Sequence, residues 1–151
     1  MGWTDDLAKY LRVHINEKFR DPDHPMNVNY HEAKGETYIT LDKVDYHFEF
    51  REVNGNVRFF MGIKPSEQGT LDELVARAKL ELPSNNELDR TSRDFKQYSI
   101  EQNGESIIFS CGLKRFPKTQ KEGDEFRKRL WSEFVQKLMK VARDIYSSGK
   151  S

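Results

Sequence analysis

The sequence predicts an α+β domain of two layers, an antiparallel sheet of Asn-Gly hairpins packed against three helices. Three observations predict it. Apolar residues recur at helical spacing in three separated stretches, they alternate with period two between those stretches, and Asn-Gly falls twice between alternating runs, at 54–55 and 103–104. The 151 residues fit one domain spanning the whole chain, 1–151.

Thr4 with Asp5 and Asp6 predicts a first helix: an oxygen acceptor for open backbone N–H groups, and acids at the positive end of the dipole. Leu7, Tyr10, Leu11, His14, Ile15 and Phe19 then mark one buried face, and Asp21-Pro22 ends it. From Met26 to Lys64 the period is two, which predicts three or four strands. The clearest pair is 46–53 with 56–63 about Asn54-Gly55, whose preference for positive φ suits a type I′ turn. Counting outward sets Tyr46, Phe48 and Phe50 opposite Ile63, Met61 and Phe59 on one apolar face, with His47, Glu49, Arg51, Arg58 and Phe60 on the other.

Thr70-Leu71-Asp72-Glu73 has the form of a capping box, and Leu71, Leu74, Val75, Ala78 and Leu82 follow as the stripe of a second helix before Pro83. Residues 83–94 are polar and aperiodic and are expected to be a mobile surface loop. A second hairpin, turning at Asn103-Gly104, aligns Tyr98 with Phe109 and Ile100 with Ile107, and places Cys111 on the same apolar face as a core residue rather than a nucleophile. After Phe116-Pro117 a basic linker leads into a long helix from about Asp124 to Ser148, carrying Phe126, Leu130, Trp131, Phe134, Leu138, Val141, Ala142 and Ile145. Val135, Met139 and Tyr146 widen its stripe beyond the needs of one sheet face. Part of the stripe is therefore expected to cover the first helix or a second subunit, with Trp131, Val135, Met139 and Tyr146 as the partner contacts.

Composition narrows the function classes. Hydrophobic residues at 36% and charged residues at 33%, with ten Phe, six Tyr and two Trp, describe a chain that folds. The single cysteine excludes an internal disulfide and any CxxC site, and points to a reducing, cytoplasmic setting. The first residues lack a basic start and an apolar h-region, and no apolar run is long enough to span a bilayer, so secretion and membrane insertion are not expected. The zero net charge hides an asymmetry: residues 1–111 carry 14 basic and 20 acidic side chains, and residues 112–151 carry 11 and 5. Such a dipolar layout steers charged partners.

Pro22-Asp23 followed by Glu32-Ala33-Lys34 matches, in letters, the PD-(D/E)xK pattern in which two carboxylates hold a divalent cation and a lysine serves the attacking water. Its context argues against it, because Asp23 falls between prolines and Lys34-Gly35 reads as a turn. The histidines at 14, 24, 31 and 47 show no HxH or HExxH spacing, so no metal site and no cofactor are expected. GxGxxG, GxxxxGK[ST] and GxSxG are absent, and no catalytic residue is assigned. The strongest cluster is basic: Lys114, Arg115, Lys118, Lys121, Arg127, Lys128 and Arg129 bracket the start of the last helix, with Phe116 as a stacking aromatic, and would hold nucleic-acid phosphates. Charge reversal at Lys128 and Arg129 is expected to leave stability intact.

The run Asn54-Gly55-Asn56-Val57-Arg58-Phe59-Phe60-Met61-Gly62-Ile63, then Leu71-Asp72-Glu73-Leu74, a further hairpin and a Trp-bearing terminal helix, resembles an uncharacterised prokaryotic domain family. The resemblance spans roughly residues 45–146. Domains of that family often follow a nuclease-like domain in restriction or defence proteins, which implies a defence- or phage-related accessory module and assigns no functional residues. The sequence as a whole predicts a non-enzymatic adaptor that binds a protein partner or a second copy of itself through the last helix. The alternative is an accessory nucleic-acid-binding domain using the 114–129 cluster; a small-molecule pocket between sheet and helices comes third.

Overall fold

Asn54 and Gly55 take φ of 53° and 80°, the pair of positive values that a type I′ turn demands, and they tie β3 (Val44–Val53) to β4 (Asn56–Pro65). The computed structural model describes residues 26–31, 36–41, 43–66, 71–115 and 117–147. In it Tyr46 pairs with Ile63, Phe48 with Met61 and Phe50 with Phe59, the register read from the turn. The helix expected over residues 4–19, Pro22-Asp23, Glu32-Ala33-Lys34, His14, His24 and Phe116 lie outside the described residues.

Two strands precede this hairpin, β1 (Met26–His31) and β2 (Glu36–Leu41), and two follow, β5 (Phe95–Asn103) and β6 (Ser106–Leu113). All six form one antiparallel sheet in the order β1-β2-β3-β4-β6-β5. The second hairpin differs from expectation. Asn103 pairs with Ser106, so the loop is Gly104-Glu105, and Ile100 faces Phe109. Gly104 alone has positive φ, 63°, which fits the turn that wants glycine first rather than the Asn-Gly type. The slip is by two residues, an even number, so Ile100, Ile107, Phe109 and Cys111 still share the buried face. A bulge between Lys96 and Ser99 then re-aims β5. Its Gln97 sits at φ 43°, and Arg58 Nη2 reaches across to the Gln97 carbonyl at 3.2 Å.

Helix α1 (Leu71–Glu81) buries Leu71, Leu74 and Ala78, as its spacing requires. The expected loop at 83–94 instead contains a short helix, α2 (Asn85–Thr91). Ser84 Oγ accepts the Glu87 N–H at 3.2 Å as an N-cap, and Leu88 is its one buried residue, so a helix this short shows no readable period. The final helix begins at Gln120, earlier than expected. Thr119 Oγ1 accepts the Glu122 N–H at 3.1 Å, while Glu122 Oε2 accepts the Lys118 N–H at 3.0 Å. It runs as α3 (Gln120–Leu130), a π-turn (Trp131–Val135) and α4 (Gln136–Ser147).

The helices pack on the aromatic face of the sheet. Phe134 meets Phe109 and Phe95 at ring distances of 4.9 and 5.1 Å, and Phe126 meets Phe95 at 5.2 Å. The buried apolar residues form one cluster that includes Cys111, which has no exposure. Burial pushes the Cys111 thiol far up, away from the thiolate a nucleophile needs. Among the described residues no helix is long and apolar enough to cross a membrane.

Candidate functional site

The wide stripe of the last helix is consumed inside the chain. Trp131, Val135, Met139 and Tyr146 are at most 6% exposed, so none is a contact surface for a partner. The reason lies in the π-turn, in which Gln136 N–H bonds back to the Trp131 carbonyl and one extra residue enters the helical turn. One flank of the broadened stripe lies on Phe109 and Phe95, and the other packs against α1, where Arg77 also approaches Asp144 at 3.9 Å.

The basic cluster divides into structural and available charges. Lys114 Nζ donates to the Asp89 and Ser92 carbonyls at 2.6 and 2.5 Å, closing the C-terminal end of α2 with a cation. Arg127 pairs with Asp124 one turn before it. Lys121 and Lys128 are exposed on the surface of α3. Arg115, Lys118 and Arg129 converge on one pocket of about 260 Å³, joined by Arg93.

At the base of this pocket is Asp94, 2% exposed. It follows directly on Ser92-Arg93, where Ser92 Oγ accepts the Phe95 N–H at 3.2 Å and turns the chain into β5. Arg115 Nε donates to Asp94 Oδ1 at 3.4 Å and Arg129 Nε donates to Oδ2. One buried carboxylate thus orients two guanidinium groups through their Nε atoms. The Nη groups of both arginines have no hydrogen-bond partner among the described residues, and neither has the Arg93 side chain. Planar guanidinium ends of this kind are suited to paired contacts with phosphate or carboxylate oxygens.

Glu122 and Glu125 stand on the helix side of the same pocket, with the buried Phe126 behind them. Glu122 is engaged by the Lys118 N–H, which leaves Glu125 as an acceptor for hydroxyl or amino donors of a ligand. The carboxylate network continues behind the pocket, where Ser92 Oγ donates to Glu133 Oε1 at 2.9 Å in the π-turn. Burial raises the Glu133 carboxyl above its ordinary range, and the charge of Asp94 adds to the rise against Ser92, Arg129 and Lys137.

Arg93, Asp94 and Glu133 carry no local sequence signal, because Arg93 and Asp94 end a polar segment that shows no period and Glu133 lies within a strongly apolar helix. The signal that finds them is pairing across the fold, Asp94 to Arg129 over 35 residues. Among the described residues no cluster of His, Cys, Asp or Glu could hold a metal ion. Compared with family models, curated proteins and solved structures, the chain matches none of them.

Proposed function

We propose that the chain is a non-enzymatic binding domain that holds the backbone phosphate of a single-stranded nucleic acid in the pocket between Arg93, Arg115 and Arg129. The observation that carries this reading is the shared Asp94, which fixes Arg115 and Arg129 through Nε while their Nη donors have no partner among the described residues. Arg93 and Lys118 add charge at the same pocket, and Glu125 suits the hydroxyl and amino donors that accompany phosphate in a nucleotide. The mixed wall disfavours a dense polyanion such as duplex DNA. Contacts of this kind hold a strand without reading its sequence.

The adaptor reading, in which Trp131, Val135, Met139 and Tyr146 meet a protein partner, retains only the charge asymmetry because those side chains are buried. The resemblance to a module that follows nuclease-like domains agrees with a strand-holding role beside such a domain.

The test is the anisotropy of a labelled short oligothymidine at about 50 and about 200 mM salt, where each phosphate neutralised on a single strand contributes about −0.7 to the log–log slope. Wild type is expected to bind with a clear negative slope. The Arg93→Gln/Lys118→Gln variant, which leaves both ion pairs of Asp94 in place, should bind about tenfold more weakly, the loss of one or two charge-assisted hydrogen bonds, with an unchanged unfolding midpoint. Equal affinity of wild type and variant, or affinity indifferent to salt, would remove the proposal.

A further inference from the structure

The sheet face opposite the aromatic core carries a second cleft, of about 460 Å³, that shares none of the arginine pocket's residues. Strand register lays it out as two rows. In one, Tyr38 pairs with His47, His47 with Gly62 and Gly62 with Ile108. In the other, Thr40 pairs with Asp45 and Asp45 with Lys64.

The first row is apolar and notched. The Tyr38 and His47 rings stack at 4.6 Å and 15°, Ile108 stands on the far side, and Gly62 between them presents no side chain. A glycine inside a strand marks a place where something approaches the backbone closely. Nothing in the fold demands glycine here: its φ is not positive, and a Cβ would meet His47 Cβ and Ile108 Cδ1 at 3.6 Å, ordinary contact distances.

The second row is polar. Asp45 Oδ1 accepts the Thr40 hydroxyl at 2.7 Å, which orients the carboxylate and leaves Oδ2 without a hydrogen bond among the described residues. Lys64 Nζ stands 3.8 Å from Glu105, a loose and exposed contact. A flat notch bordered by a fixed acceptor and an adjacent cation matches a planar ring whose edge carries N–H donors next to a carbonyl.

We infer that this cleft is a nucleobase site of guanine type: the ring lies over Gly62 against the Tyr38–His47 stack, its N–H edge faces Asp45 and its carbonyl faces Lys64. Lysine to the guanine carbonyl edge and carboxylate to base N–H donors are established pairings in base recognition. The inference is independent of the arginine pocket, since the probe that tests it carries no phosphate.

Titrating the ¹⁵N-labelled protein with deoxyguanosine should give saturable shifts of the Gly62, His47 and Ile108 amides, and deoxyadenosine should bind about fivefold or more weakly, the discrimination of one good edge contact. Asp45→Asn should abolish that preference, and Gly62→Ala should weaken both nucleosides without lowering the unfolding midpoint. An oligothymidine with one guanine separates the sources: shifts of the same amides mark a base presented by a strand, and shifts with the free nucleoside alone mark a small-molecule site. No shift of these amides with deoxyguanosine, equal binding of the two nucleosides, or unchanged binding in Asp45→Asn and Gly62→Ala would overturn the assignment.

Discussion

Arg129 donates its Nε–H to the carboxylate of Asp94, joining the last helix to the first residue before β5 across 35 residues of chain. This contact overturns the expectation that Arg129 tolerates charge reversal. Arg129→Glu brings a carboxylate against a buried one and should destabilise the fold by about 3 kcal/mol, whereas Lys128→Glu on the exposed face should change stability by less than about 0.5 kcal/mol. Urea unfolding of the two variants checks the contrast, and equal midpoints would mean that Asp94 is not held by Arg129.

The first hairpin places Phe48 and Phe59 on the buried face with 1% and no exposure. Phe48→Ala and Phe59→Ala should each lower stability by about 3 to 5 kcal/mol, the range for emptying a phenylalanine site in a core. Chemical denaturation measures this directly; near-neutral changes at both positions would contradict the register.

The same substitution should act differently at two glycines. At Gly55, φ 80° is left-handed, and Gly55→Ala should cost about 1 to 2 kcal/mol. At Gly62 the backbone is ordinary and a methyl group fits, so Gly62→Ala should leave the thermal midpoint unchanged or raise it.

Glu133 gives a pH signature. Burial raises its folded-state pKa above the ordinary value of 4.5, so the folded state binds the proton more tightly than the unfolded chain. The contribution of this group to stability is fullest below the ordinary value and declines as pH rises through it toward the folded value. Glu133→Gln keeps an oxygen for the Ser92 hydroxyl and removes the titration. The urea midpoint of the variant relative to wild type should therefore be higher at pH 7 than at pH 4.5, and a difference independent of pH would contradict the assignment.

Much of this architecture is legible because local and global signals coincide. Asn54-Gly55 sets a turn whose register agrees with the alternation of Tyr46, Phe48 and Phe50, so each signal checks the other. Where one signal stood alone it misled: Asn103-Gly104 suggested a turn one residue early, but positive φ only at Gly104 favoured a glycine-first loop. The stripe of the last helix is legible as apolar and as wider than one sheet face needs, but what covers it is not, since its burial depends on the π-turn and the packing of α1, neither of which has a local signature. The basic cluster was visible as composition. Its division into Lys114 capping α2, Arg127 paired along its own helix, and Arg115 and Arg129 around Asp94 depends on contacts between distant segments.

On the proposed reading Arg115 and Arg129, held by Asp94, present their outer donors to a phosphate. The most direct measurement is the arginine side-chain ¹⁵N spectrum during titration with oligothymidine. The Arg115 and Arg129 signals should shift together and saturably, while Arg77, engaged with Glu73 and Asp144 elsewhere, should stay in place. Unmoved Arg115 and Arg129 signals at saturating oligonucleotide would contradict it.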